Sequence, residues 1–434
     1  MTDVLIGRTE KLKGEVCAPP SKAYTQRMLI AAALSHGTSK ILGPLFSDDT
    51  EATLRAVTSL GAKVKAAEDC WTVEGAQPLK GSQTPIDCGE SGATLRFMIP
   101  VAALAPESSV FVLGKSLERR PIKPLLQSLK QLGVEAHSQH LGSKASIYVQ
   151  GGGISGGKTT MRGDISSQFV SGLMFACPMA RVDTKITLTT PLESKGYVQM
   201  TKAVLAEHGI KVSISGEFDC LRIPSNQTYK PCDHRVPSDF SSAAFLLAVA
   251  AITRSEVSVK NLSYETVQGD KAILEILKQM GVNGKVCKDH VEIDGKGSLL
   301  EAVDVDARDI PDLVPVCTVL ACYAKGTSKI HDAHRLRYKE SDRLLSLHLE
   351  LKKMGAQITM DESSLTVKGP CELHGATIDP HNDHRVAMAC AVAALGASGE
   401  TRIQDAECVR KSYPKFFSDL RALGVDVVGG EFDR

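Results

Sequence analysis

The chain has 434 residues, with 51 Lys and Arg against 50 Asp and Glu and a net charge of +1. That length suits two or three domains with sizeable cores, and near-neutrality supplies no bulk field to draw the chain to nucleic acid or an anionic membrane. The longest apolar run, 243–252, is too short to span a bilayer. The first residues lack the charged and apolar regions of a leader. The 12 cysteines contain no CxxC pair, and Cys177, Cys317 and Cys390 sit in apolar runs. Such thiols are expected to be buried and reduced, as in a cytoplasmic protein.

In chain order, one phrase recurs six times. A helical, amphipathic pattern ends in Leu, His or Met followed by Gly, and a β-branched stretch follows, at Gly61, Gly133, Gly209, Gly281, Gly355 and Gly424. Each Gly is expected to end its helix in the left-handed conformation. A second, more apolar helix precedes each amphipathic one, over 27–34, 95–105, 169–180, 240–252, 313–324 and 386–395. With few charges on any face these helices are expected to be buried. The pattern predicts an α/β (α+β) protein of six βαβαββ units, three to a domain. The expected domains are 14–230 and 1–13 plus 231–434, with the polar, Pro-flanked stretch 224–232 as a crossover linker.

Cations gather where helices are expected to start, although a helix N-terminus carries partial positive charge and favours anions. Lys22 and Arg27 flank the first buried helix, with backbone N–H groups that suit a phosphate or carboxylate. A Gly-rich turn over 88–96 carries Gly92 and Arg96, and Arg120 stands just before Pro121, a good first helical residue. Residues 152–159 match the phosphate-loop pattern formally, but no helical period starts at Lys158, so a hairpin turn is expected. Ser166 and Ser167 suit a cap of the third buried helix, which leaves Gln168 unexplained. Ser194 and Tyr197 lie at the next helix start. Residues 238–242 repeat the cap pattern without a nearby cation and are expected to be structural.

Asp312 opens the fifth buried helix, where an Asp is most often a cap; it becomes a candidate base only if a substrate hydroxyl faces it. Over 335–343, Lys339 and Arg343 are spaced i,i+4 ahead of a leucine-patterned helix, with Glu340 and Asp342 as available partners. His384 and Arg385 open the sixth buried helix, and Lys411 precedes the last. So many cations at helix starts in a nearly neutral chain predict a polyanion pocket.

Ser21-Lys22 with Arg27, Gly-x-x-Gly-x-x-x-Arg over 89–96, Arg120-Pro-Ile, Ser166-Ser-Gln168, Pro311-Asp312, Lys339-Glu-Ser-Asp-Arg343 and Asp383-His-Arg385 occur in this order. On these residues the chain resembles the 5-enolpyruvylshikimate-3-phosphate synthase family from end to end. The resemblance implies two similar domains of three βαβαββ units, with helix N-termini facing an interdomain cleft. It implies enolpyruvyl transfer from phosphoenolpyruvate to the 5-hydroxyl of shikimate 3-phosphate. By similarity, Lys22, Arg27, Ser166, Ser167, Gln168, Ser194, Tyr197, Asp312 and Lys339 hold shikimate 3-phosphate. Lys22, Gly92, Arg120, Gln168, Arg343, Arg385 and Lys411 hold phosphoenolpyruvate. Asp312 resembles the base, and Glu340 with Lys22 the proton-handling pair. The resemblance implies no metal or organic cofactor, no nucleic-acid or membrane partner, and a monomer.

The chain departs from the family pattern at Ala23, Glu90, Phe97 and Arg335. Glu90 is expected to place an acid near phosphoenolpyruvate. A sister transferase acting on UDP-N-acetylglucosamine is the nearest rival, but its loop Cys before Arg-Pro is missing from 114–119. A phosphate-loop protein and a non-catalytic anion binder are rivals of other classes.

Overall fold

The computed structural model describes residues 3–9 and 11–432. The chain forms two compact units: one is Pro20–Val236, and the other takes the described residues up to Pro19 and from Pro237 onward. Among the described residues each unit holds three four-stranded sheets. In every sheet two neighbouring strands are parallel and the other pairings are antiparallel. In the sheet that starts at Gly157–Met161, this strand runs parallel to Thr184–Leu188, with Gly157 opposite Thr184. Cys220–Ile223 and Ser213–Ile214 then continue the sheet in antiparallel fashion. A parallel pair needs a long crossover, and in four of the six sheets among the described residues a buried helix supplies it.

Those helices are Lys22–Ala33, Gly92–Ala102, Ser167–Ala176, Phe240–Ile252, Val314–Tyr323 and His384–Ala394. Every residue of Phe240–Ile252 except the last is buried, as expected for a helix apolar on all faces. The amphipathic helices cover the sheets with one face only: Lys123–Gln131 buries Leu125, Leu126, Ser128 and Leu129. Gly61, Gly133, Gly209, Gly281, Gly355 and Gly424 all have φ between +78° and +104°, so each ends its helix in the left-handed conformation.

Three expectations need correction. Lys13–Cys17 pairs with Glu256–Lys260, so the chain passes between units after Pro19, not at 13/14. The second passage lies at 236/237 because His234–Arg235 pairs with Ile41 and Leu42 in the first sheet. Residues 224–232 are therefore fastened to the unit rather than linking units. Tyr229 is 1% exposed and its hydroxyl donates to the Phe175 carbonyl at 2.6 Å. Finally, 150–156 is no hairpin: Lys144–Val149 and Gly157–Met161 belong to different sheets, and Lys158 lies in a strand. Gly152 and Gly153 N–H groups donate to the carbonyls of Ala105 and Ala103 at the end of a buried helix. With no helix after Lys158, the phosphate-loop reading lacks its required structure.

Helices Gly92–Ala102 and Ser167–Ala176 meet backbone to backbone at Gly172, where an added Cβ would stand 2.3 Å from the Arg96 carbonyl oxygen. Gly172→Ala is therefore expected to destabilise the protein by about 1–3 kcal/mol in urea unfolding. Gly216→Ala, with open space around it and an ordinary φ, is expected to be neutral or stabilising by up to about 1 kcal/mol.

Candidate active site

The site residues expected from the sequence fall into two clusters, one in each unit. In unit 20–236, Ser21 caps helix Lys22–Ala33 by accepting from the Tyr24 N–H, and Lys22 occupies the first helical position. Its Nζ donates to Asp49 Oδ2 at 2.9 Å. Arg27 is buried: Nε donates to Thr201 Oγ1 at 2.8 Å, Nη1 to the Ala23 carbonyl at 2.9 Å and Nη2 to the Tyr197 carbonyl at 3.3 Å. Its guanidinium lies over the rings of Phe97 (4.9 Å) and Tyr197 (5.7 Å). Burial pulls its pKa down to about 10 despite Tyr197 and Tyr24. The unusual Phe97 is thus a platform for this cation.

Gly92, Arg96, Arg120 and Gln168 converge. A Cβ on Gly92 would lie 2.9 Å from Arg120 Nη1, 3.5 Å from Arg96 Nη1 and 3.7 Å from Gln168 Oε1. Arg96 Nη1 donates to Gln168 Oε1 at 2.8 Å and Nη2 to the Pro121 carbonyl at 3.2 Å. Arg96 therefore positions both Gln168 and the turn after Arg120, a role that the Gly-x-x-x-Arg spacing signalled without specifying. Arg120 is not at a helix start: it follows the short helix Lys115–Glu118, and the next helix is Lys123–Gln131, with Pro124 near its start. Glu90 is tied down rather than presented as a separate acid. It accepts from the N–H groups of Ser116 (3.1 Å) and Leu117 (3.2 Å) and from the Ser116 hydroxyl, bracing the turn that carries Arg120.

Ser166 Oγ accepts from the Gln168 N–H at 3.3 Å as cap of Ser167–Ala176, and Ser167 is buried. Ser194 has φ +57° just ahead of helix Lys195–Glu207, and Tyr197 lies in that helix's first turn.

In the other unit, Arg343 is the centre. Nε donates to Asp383 Oδ2 at 2.9 Å, Nη2 to Glu340 Oε2 at 2.7 Å and Asp383 Oδ1 at 3.2 Å, and Nη1 to Asp312 Oδ1 at 3.1 Å. Burial opposes its charge, but Asp383, Glu340 and Asp312 outweigh burial and hold the guanidinium above its ordinary pKa. Arg385 Nη2 lies 3.4 Å from Asp312 Oδ2 and donates to Ser241 Oγ at 2.8 Å. Lys339 Nζ lies 3.6 Å from Asp312 Oδ1. Burial pulls Lys339 down to about 8, more than Asp312 raises it. Burial also works against the Asp312 carboxylate, yet Arg385, Lys339 and Arg343 together hold its pKa well below the usual range.

The Asp312 carboxylate is not the cap of its helix: Val314–Tyr323 has Leu313 at that position, with no side-chain cap bond. Lys339 is extended rather than helical, since the helix begins at Arg343 behind the Asp342 cap. Asp342 also pairs with Arg337 at 2.8 Å. Arg335 donates to the Arg308 carbonyl at 2.6 Å, and Lys411 Nζ to the Asn382 carbonyl. Two contacts of this cluster escaped sequence reasoning. Ser241 has a cation beside it after all, brought from 144 residues away. Asp383 both caps helix His384–Ala394 and grips Arg343; its place beside His384 and Arg385 was the available signal.

A family model described as EPSP synthase (3-phosphoshikimate 1-carboxyvinyltransferase) matches residues 6–420. A 3-phosphoshikimate 1-carboxyvinyltransferase from Methanocaldococcus jannaschii is 41% identical over 427 residues, covering 98% of this chain and 99% of the relative. Another from Methanocella arvoryzae is 43% identical over 417 residues, covering 95% and 97%. The EPSP synthase structure from Acinetobacter baumannii superposes with a TM-score of 0.82 at 25% identity, covering 99% of this chain and all of that one.

Removing one partner of a buried ion pair strands the other charge. Asp383→Ala is expected to cost about 3–5 kcal/mol in urea unfolding. Asp342→Ala, which mainly removes a half-buried cap, is expected to cost about 1 kcal/mol.

Proposed function

The chain belongs to the EPSP synthase (3-phosphoshikimate 1-carboxyvinyltransferase) family, and from that membership we propose a division of labour among its site residues. The enzyme transfers the enolpyruvyl group of phosphoenolpyruvate to the 5-hydroxyl of shikimate 3-phosphate, releasing phosphate, in the shikimate pathway to aromatic amino acids. The hydroxyl oxygen must bond to the central carbon of phosphoenolpyruvate while the methylene carbon gains a proton. The resulting tetrahedral adduct then loses phosphate and returns that proton. The chemistry needs a base, an acid and preorganised positive charge.

Asp312 is the base on this reading, and the Asp312 carboxylate ringed by Arg343, Arg385 and Lys339 is the observation that carries it. Ionised at neutral pH, it can accept the hydroxyl proton. While three cations hold it, however, it is a weak base. Anionic substrates that engage Arg343, Arg385 and Lys339 offset those cations and restore its basicity, which couples proton abstraction to a filled site. Glu340, held 2.7 Å from Arg343, and Lys22 handle the proton at the methylene carbon. Arg343 and Arg385 suit the phosphoenolpyruvate carboxylate and Arg120 the departing phosphate, since guanidinium matches such groups in bidentate fashion, while Lys411 adds a point charge for that phosphate. Gly92 and Gln168 border the same substrate. Lys22, Arg27, Ser166, Ser167, Gln168, Ser194, Tyr197, Asp312 and Lys339 hold shikimate 3-phosphate. No helix among the described residues is long and apolar enough to cross a membrane, and on this reading the enzyme works as a monomer in the cytoplasm, where its cysteines stay reduced.

Phosphate release from phosphoenolpyruvate is expected only with shikimate 3-phosphate present and without any nucleotide. Arg120→Ala should abolish it, and Asp312→Ala should lower kcat by about 10²–10⁴-fold. Release that is independent of shikimate 3-phosphate, or full activity in Asp312→Ala, would refute these roles. The pH profile gives a second check. With its pKa near 8 in the unliganded protein, Lys339 is charged below that pH and neutral above it. The KM for shikimate 3-phosphate is therefore expected to rise as pH increases beyond about 8, and Lys339→Arg should flatten that rise.

A further inference from the structure

Outside the two clusters, unit 20–236 holds a group of side chains that the transfer reaction does not use. Glu207 ends helix Lys195–Glu207, His208 is the residue after it, and Cys232 and His234 lie on the segment that pairs beside Thr38–Leu42. The Glu207 carboxylate, Cys232 Sγ and a ring nitrogen of His234 all lie within 4.8 Å of one another. The surrounding backbone is held firmly. Cys232 N–H donates to Ser39 Oγ at 3.0 Å, Lys40 N–H to Asp233 Oδ1 at 2.7 Å and Lys230 N–H to the His208 carbonyl at 3.0 Å.

The protons on the two histidines follow from their partners. His208 Nδ1 lies 2.6 Å from the Lys230 carbonyl, which can only accept, so Nδ1 carries a hydrogen. The Nε2 atoms of His208 and His234 are 2.7 Å apart, and one hydrogen lies between them. His208 is fully buried, which favours its neutral ring. Its Nε2 is then an acceptor, and His234 Nε2 must donate. A neutral His234 accordingly presents a bare lone pair at Nδ1. That atom is buried, makes no hydrogen bond of acceptable geometry, and faces Glu207 Oε2 at 2.7 Å. Two acceptors in contact repel unless a proton or a metal cation lies between them.

We propose that Glu207, Cys232 and His234 are ligands of a divalent transition-metal ion of the zinc type, with water in the fourth position. Imidazole, thiolate and carboxylate together form a donor set that zinc accepts, and a fourth position left to water is usual for three protein ligands. His208 acts as the outer partner that fixes the ring and tautomer of His234. Binding replaces the Cys232 thiol proton by a metal–sulfur bond and releases that proton to solvent. The Nδ1–Oε2 separation opens to about 3.3 Å, as metal bonds near 2.0–2.1 Å require in a tetrahedron. The half-exposed Glu207 side chain gives the ion its way in. The trio Cys287, His290 and Glu292 is also clustered. Both its ring nitrogens already have carboxylate partners, Asp289 at 2.8 Å and Glu292 at 3.2 Å, so it lacks the orphaned lone pair. Bound at Glu207, Cys232 and His234, the ion staples the end of helix Lys195–Glu207 to the last strand before the chain leaves the unit.

Cobalt(II) titrated into the full chain, reduced and freed of metals, tests the site. The expected result is a stoichiometric thiolate-to-cobalt charge-transfer band with the strong visible bands of a four-coordinate ion, both displaced by zinc. Cys232→Ser should remove the charge-transfer band, and Glu207→Gln should weaken zinc binding at least about tenfold. His208→Gln should weaken it by about 10–100-fold. Cys287→Ser should change nothing. Circular dichroism and phosphate release, which draws on none of these residues, report that each variant is folded. No charge-transfer band at stoichiometric cobalt overturns the proposal and leaves His234 as an imidazolium paired with Glu207. A band that survives Cys232→Ser, or disappears in Cys287→Ser, overturns it equally.

Discussion

The buried guanidinium of Arg343 sets the terms for the C-terminal cluster. A charge taken out of water costs several kcal/mol unless partners replace the lost solvation, and Arg343 finds them in Asp383, Glu340 and Asp312. Each carboxylate comes from a different stretch of chain, so satisfying one cation fixes the helix start at 343, the turn at 312 and the cap at 383 together. Asp383 is the rigid member, since it also caps helix His384–Ala394. Asp312 is the shared member, reached by Arg385 and Lys339 as well. The positions of Asp312, Glu340 and Asp383 are thus tied to the satisfaction of one buried cation.

Unit 20–236 solves the same problem differently. Arg27 is sheltered between aromatic rings, hydroxyls and carbonyls, while Arg96 spends its donors on Gln168 and Pro121. These partners are neutral, whereas Lys22 of the same unit pairs with the Asp49 carboxylate. Arg343 is thus held by three carboxylates, while Arg27 and Arg96 donate to hydroxyl, amide and carbonyl oxygens. A chain of net charge +1 can afford both because the cations are concentrated locally.

Much of this was legible in the residues. The six glycines marked helix ends because a left-handed φ is a local requirement that only a few residue types meet cheaply. The buried helices announced themselves through apolar runs, with Phe240–Ile252 recovered end to end. Helix starts were harder: Lys22, Gly92 and Arg343 begin their helices at polar or glycine residues, where periodicity is silent and a cap decides. The partners of Asp312 were illegible, because three cations reach it from 339, 343 and 385 and no spacing rule encodes that meeting. Ser241 was misjudged for the same reason, its cation being 144 residues distant. Composition misled at 224–232, where proline and polar residues suggested a linker but a buried Tyr229 anchors the segment.

The strand pairings carry a consequence for how the polypeptide is made. Val4–Ile6 lies between Thr401–Ile403 and Val427–Val428, and Lys13–Cys17 needs Glu256–Lys260. Residues 20–236 are thus an insertion in the other unit, complete in themselves once His234–Arg235 has joined Thr38–Leu42. Synthesis runs from the N-terminus and domains fold as they emerge. On the ribosome the inserted unit can close while the first two strands of the chain still lack every partner. Lys13–Cys17 must wait for residues 256–260, and Val4–Ile6 waits, with both edges open, until nearly the last residue has been translated. Pairings so distant in sequence are slow to form, which makes Val4–Ile6 the strand of the nascent chain that waits longest for its partners.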